Sequence, residues 1–227
     1  MNARRTAFFF LDVTLGMAPS VTDFVRFWQG RQGAVTDNRG DPRLLTRAEA
    51  EECREELLEA GRVWAAGRGV SAAWADSVLP ELLRRHRLAG DELVLVSTSF
   101  APCVRPVAEL LGMPRVLCVE PALPDGRPTL DRAPRSRALA QAVVETMILL
   151  GSEAARCFGY ADHADGLDML AVVGNPRPVG VDPVLLRTAR ERGWLPVSVR
   201  RRLGPVGEPD PGLGDLGPRP GPGPGSF

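Results

Sequence analysis

The residues able to do chemistry gather at three places where an apolar run gives way to a turn. Asp12 and Thr14 follow Ala7-Phe8-Phe9-Phe10, Ser97, Thr98 and Ser99 follow Leu93-Val94-Leu95-Val96, and Asp162 and His163 follow Cys157-Phe158-Gly159-Tyr160. Carboxylates such as Asp12 and Asp162 can move a proton or hold a hard cation. Hydroxyls clustered just before a helix suit an anion, because backbone N–H groups and the helix dipole face it. His163 beside Asp162 could serve as base to Ser99 or Cys103 if the fold brings them together. The plainer accounts are a solvated loop histidine and a Ser/Thr-rich turn.

These groups need elements to hold them. Residues 7–13 read as a buried central strand. Helical signals follow: a cap at Ser20–Asp23, a capping box Thr46-Arg-Ala-Glu49 opening a helix to about residue 66, and a helix from about 71 to 87 closed by Gly90-Asp91. No strand is convincing between 16 and 90, so this block is expected to be a helical cap over the sheet edge. From residue 92 the pattern alternates. Strands are expected at 93–97, 115–119, 155–160 and 177–181, with 194–199 as an edge strand. Helices are expected at 101–112, with Pro102 near the start and Gly112 past the end, at 135–150, at 167–173, and from Asp182-Pro183 to about 192. Such alternation implies a parallel sheet with right-handed crossovers, whose ligands bind beyond the carboxyl ends of its strands. Residues 204–227 are mostly Gly and Pro and read as a disordered, flexible tail, with docking of a protein partner as the minority alternative. His86, within Arg84-Arg85-His86-Arg87, reads as a surface residue, and Tyr160 as strand-end packing. Trp28, Trp64 and Trp74 read as core packing, with an apolar pocket shared with Phe10 as the minority alternative.

Composition narrows the function classes. The 227 residues carry 28 basic and 28 acidic side chains, so no field draws the chain to nucleic acid or an acidic membrane. Every fixed basic residue is arginine, and the absence of lysine excludes Schiff-base chemistry. Cys53, Cys103, Cys118 and Cys157 show no metal-ligand spacing and read as reduced thiols. The first residues superficially resemble a signal peptide, but Asp12 interrupts the apolar run, which is also too short for a membrane span; a cytoplasmic location is expected.

In order and spacing, these segments resemble the haloacid dehalogenase (HAD) superfamily over roughly residues 6–196, specifically its phosphoserine-phosphatase-like branch with a helical cap after the first strand. The resemblance implies a Rossmann-like α/β core of residues 1–15 and 91–203, a helical cap of 16–90, and the tail of 204–227. It also implies four motifs. The first, Asp-x-Asp-x-Thr, falls on Phe10-Leu11-Asp12-Val13-Thr14: the general acid Asp12 and Thr14 are present, and phenylalanine stands in the nucleophile's place. Phe10 has no lone pair with which to form an aspartyl-phosphate. If two residues were deleted instead, Asp12 would be the nucleophile and the acid would be missing. The second motif, an anion-binding hydroxyl, falls on Ser97 and Thr98. The third, a lysine, falls on Arg135, which keeps the charge but needs more room. The fourth, Gly-Asp-x-x-x-Asp, falls on Ala161-Asp162-His163-Ala164-Asp165-Gly166 and keeps only its first carboxylate.

By this resemblance Mg²⁺ would lie on Asp12, through its backbone carbonyl, and on Asp162, and weak or absent binding is expected. The glutamate that reads the amine in phosphoserine phosphatases has no counterpart before Asp23, which argues against phosphoserine. Three readings stay open. The chain is a non-hydrolytic HAD protein binding a phosphorylated or carboxylated small molecule or assisting a biosynthetic step. Or it is a working phosphomonoesterase. Or the scaffold hosts different chemistry, with Asp12, Asp162 and His163 as acid/base groups.

Overall fold

The computed structural model describes residues 4–10, 27, 28, 30, 31, 54–67, 78–98, 101–118 and 132–197, the side chains of 54, 102, 103 and 132–135 excepted. Five strands form one parallel sheet: β1 (Thr6–Phe10), β2 (Glu92–Ser97), β3 (Arg115–Cys118), β4 (Phe158–Ala161) and β5 (Asn175–Pro178), in the order β3-β2-β1-β4-β5. The chain steps outward from β1 through β2 to β3, then crosses back to place β4 on the other side of β1. The strand order therefore reverses between β1 and β4, and in such sheets ligands bind in the crevice at the carboxyl ends of the strands beside that point.

The alternation of side chains along β1 divides the core into two layers. Ala7 and Phe9 face one apolar cluster, and Phe8 and Phe10 face the other; all four are at most 1% exposed. Burying each phenylalanine contributes about 1.5–3 kcal/mol, which explains why this strand is central. The first layer is covered by α1 (Arg54–Gly67), α2 (Leu79–Leu88) and α3 (Ala101–Leu110). The second is covered by α4 (Arg132–Leu150), α5 (Leu167–Val172) and α6 (Pro183–Glu191). The described part of residues 16–90 shares its core with the sheet, since Leu57, Trp64, Leu79, Leu82 and Leu83 join the cluster that holds Phe9 and Leu95.

Most elements follow the sequence pattern. Pro80 sits in the first turn of α2, the Asp91 N–H donates to the His86 carbonyl just past its end, and Gly112 adopts φ 59° after α3. Asp182 caps α6 by accepting the Leu185 N–H at 2.7 Å, with Pro183 behind it. Three expectations are corrected. The strand expected from 155 begins at Phe158, because Ala154–Arg156 is a turn of 3₁₀ helix closed by the Cys157 N–H on the Ala154 carbonyl. The strand expected at 177–181 runs from Asn175 to Pro178 and stops short of Gly180, which adopts φ 85°. The edge strand expected at 194–199 is, among the described residues, a single parallel bridge between Val179 and Val197, since Pro196 has no N–H to extend a ladder. The caps at 20–23 and 46–49, Trp74, and the tail of 204–227 lie outside the described residues. Among those described, no helix is long and apolar enough to cross a membrane.

Candidate functional site

Three of the sequence-predicted groups end adjacent strands at the crevice. Phe10 is the last residue of β1, Ser97 the last of β2, and Asp162 follows β4. Ser97, which ends β2, is wholly buried, and Thr98, which follows it, is 5% exposed. Arg135 falls in the first turn of α4. Asp12 and Thr14 lie outside the described residues.

Phe10 is a core residue. Its ring packs in the layer that contains Val96, Ala161, Met169 and Leu170. Trp28 and Trp64 belong to the opposite layer, so the sheet itself separates them from Phe10, and a pocket lined by all three is ruled out.

His163 is half-buried at the mouth, and both its ring nitrogens have partners. Nδ1 accepts the Asp165 N–H at 3.2 Å, which makes His163 the cap of the short turn Ala164–Gly166. Nε2 faces the Asp182 carboxylate at 3.7 Å. Nδ1 also lies 3.4 Å from the Asp165 carboxylate, so the ring stands between two acidic side chains.

Gly166 closes this turn, at the position where the fourth motif would place a second carboxylate. A Cβ there would come 2.5 Å from the Ala161 Cβ and 3.2 Å from the Phe10 Cγ. The glycine is therefore packed between the ends of β1 and β4.

A second polar cluster was not legible as such. His86 is wholly buried, not on the surface: its Nδ1 lies 2.7 Å from Asp91 Oδ2 and its Nε2 lies 2.8 Å from the Tyr160 hydroxyl. Asp91 in turn accepts two hydrogen bonds from Arg5, at 2.7 and 3.0 Å. Burial pushes the Asp91 carboxyl up, but the bonds from His86 and Arg5 outweigh it and hold it below its ordinary value. Asp91 is thus paired with both His86 and Arg5, and the other ring nitrogen of His86 shares a hydrogen bond with the Tyr160 hydroxyl. Burial raises the Tyr160 phenol, which stays protonated. Phe9 stacks on Tyr160 at 4.8 Å, completing an anchor that begins at the amino ends of β1 and β2, opposite the crevice. Periodicity carried a signal for it: Leu79, Leu82, Leu83 and His86 occupy the buried stripe of α2 at i, i+3, i+4 and i+7.

The haloacid dehalogenase-like hydrolase family matches residues 6–171. The chain belongs to this family. It is 34% identical over 131 residues to an "inhibition of morphological differentiation protein" of Streptomyces azureus, covering 54% of this chain and 47% of that one. It is 26% identical over 185 residues to a phosphoserine phosphatase of Mycobacterium tuberculosis, covering 79% of this chain and 56% of that one, and its likeness is to the phosphoserine-phosphatase-like branch. The chain spans about half the length of the curated relatives it matches. A crystal structure of a protein of unknown function from Bordetella pertussis shares the fold, with a TM-score of 0.52 and 22% identity over 87% of this chain and 99% of that one.

The HAD resemblance implies Mg²⁺, and the residues can be tested for fit. Phe10 offers no donor, and position 166 has neither a carboxylate nor space for its Cβ. Asp162 supplies a carboxylate at the crevice, with its Cβ beside the Cβ position of Gly180. Among the described residues, no group of three or more His, Cys, Asp or Glu is arranged to hold a metal. Positions 10 and 166 do not fit the ion.

Proposed function

We propose that this HAD-family protein has lost phosphoaspartyl hydrolysis and uses the crevice to bind a small phosphorylated or carboxylated molecule, or to assist a biosynthetic step without hydrolysing phosphate. One observation carries the reading: the residue in the nucleophile's place is a phenylalanine, 1% exposed, whose ring is enclosed by the core. A buried phenyl ring supplies neither a lone pair for phosphorus nor an oxygen for a cation. Ser97 and Thr98, at the end of β2 before α3, support retention of an anion, and Arg135 in the first turn of α4 is the cation proposed to accompany them. Asp12, Thr14 and Asp162 complete the proposed ligand-facing set.

The second reading is an active phosphomonoesterase, and the names of the relatives favour it, the mycobacterial phosphoserine phosphatase among them. A third is acid/base chemistry by Asp12, Asp162 and His163, whose ring stands at the mouth between the Asp165 and Asp182 carboxylates.

The test is hydrolysis of an aryl phosphate by the full chain with Mg²⁺, between about pH 5 and 8. The expected result is a rate equal to the buffer blank. Mg²⁺-dependent turnover that Asp12→Asn abolishes would overturn the non-hydrolytic reading in favour of the second. Turnover indifferent to Mg²⁺ but lost in His163→Ala would favour the third. Inorganic phosphate is expected to raise Tm, as any ligand of the native state does.

A further inference from the structure

We propose that the methyl group of Ala161 is what keeps residue 166 a glycine, and that Phe10, Ala161 and Gly166 form one interlocked set excluding a carboxylate, and with it a divalent cation, from position 166. The geometry is independent of function; its meaning as a lock on lost hydrolysis rests on the non-hydrolytic reading above.

Gly166 is not there for its backbone. Its φ and ψ are −84° and −2°, within the region that any L-residue adopts. Space alone excludes a side chain. The tightest approach, 2.5 Å, is to the Ala161 Cβ, and the Phe10 ring stands at 3.2 and 3.3 Å. These two obstacles differ in kind. A phenyl ring can pivot by a few tenths of an ångström, whereas a Cβ moves only with its backbone. The Ala161 backbone is held on its β5 side: it pairs with Pro178, and its carbonyl accepts the Val179 N–H at 2.7 Å. The Gly166 N–H is likewise committed, to the His163 carbonyl at 3.0 Å. Phe10 and Ala161 each lie one residue beyond the paired Phe9 and Tyr160 and are 1% and 2% exposed, so no solvent gap absorbs the strain. Ala161 is therefore the dominant obstacle and Phe10 the secondary one. Restoring Asp at 10 and 166 would leave the methyl in place, and a carboxylate at 166 requires Gly at 161 as well.

A double-mutant cycle on the full chain tests this: wild type, Ala161→Gly, Gly166→Ala, and both, measured by urea unfolding. Gly166→Ala is expected to lower the midpoint steeply in the wild type and much less in the Ala161→Gly background. An additive cycle would overturn the interlock. If Gly166→Ala fails to fold, folding of the double variant supports the proposal and its failure overturns it. In a second arm, Mg²⁺ alone is titrated into Phe10→Asp/Gly166→Asp and into the triple variant that adds Ala161→Gly. Only the triple is expected to gain Tm with Mg²⁺; an equal gain in both overturns the role of Ala161. A wild type that hydrolyses phosphate would sink the non-hydrolytic reading and leave the cycle's expectation standing. An additive cycle would do the reverse.

Discussion

Replacing Asp91 by asparagine tests the buried anchor directly, because the two side chains share a shape and differ in charge. The Asp91 side chain is 2% exposed, His86 is wholly buried, and Arg5 retains 19% exposure. Breaking a buried pair by removing one partner costs about 3–5 kcal/mol, and the partial exposure of Arg5 points to the lower end, about 3 kcal/mol. For a chain of this size each kcal/mol moves Tm by about 2–4 °C, so Asp91→Asn should melt about 6–12 °C below the wild type at neutral pH. The pH dependence has a definite sign. Burial works against the ionised Asp91, but the hydrogen bonds from His86 and Arg5 outweigh it, and the folded-state pKa is lowered. A lowered carboxyl pKa contributes stability that is complete above the ordinary value of about 4 and is lost as pH falls through the folded value. Asp91→Asn has no such contribution, so its gap from the wild type should be widest at neutral pH and should close below about pH 4. Chemical denaturation of both proteins across that range measures the difference. A gap under about 1 kcal/mol at neutral pH, below the cost of an ordinary buried pair, would refute the anchor's energetic role. So would a gap that persists unchanged into acid.

Two further substitutions probe the elements around the crevice. Tyr160→Phe removes the hydroxyl bonded to His86 Nε2 at 2.8 Å and leaves a buried ring nitrogen without that partner, at a cost of about 1–3 kcal/mol. Urea unfolding should show the loss, and an unchanged midpoint would mean that the bond contributes nothing net. Asp182→Ala deletes the cap of α6 and should cost about 1 kcal/mol in a thermal melt. A neutral result would show that the Leu185 N–H finds another acceptor.

The fold was legible wherever hydrophobic period and turn chemistry agreed. The three phenylalanines of β1 mark a doubly buried strand, and Asp182-Pro183 and Gly112 mark helix ends by mechanisms that operate within a few residues. His86 was misread because its neighbours in sequence are arginines, whereas its neighbours on the helix face are leucines; period outranked composition. The shortened last segment reflects Pro196, whose missing donor weighs more than the apolar residues beside it. At the crevice the residue types were legible and the packing was not. Phe10, Ala161 and Gly166 could each be matched to a motif position, but no spacing rule says that the methyl of residue 161 occupies the place of a side chain at 166.

That packing bears on how readily a nucleophile and a second carboxylate could be built into this crevice. On the non-hydrolytic reading, a return to hydrolysis needs changes at Phe10, Ala161 and Gly166, and the order in which they occur matters. Phe10→Asp made first removes a ring from the second core layer and leaves a carboxylate among Val96, Met169 and Leu170. Gly166→Asp made first drives a Cβ to within 2.5 Å of another. Large-to-small changes of a buried phenylalanine alone cost about 3–5 kcal/mol, a large share of the 5–15 kcal/mol that holds a typical domain together. Ala161→Gly is the mildest first step, because glycine within a strand costs only about 0.5–1 kcal/mol. It also confers no chemistry on its own. On that reading, each single step toward the phosphatase arrangement loses stability before any activity can repay it.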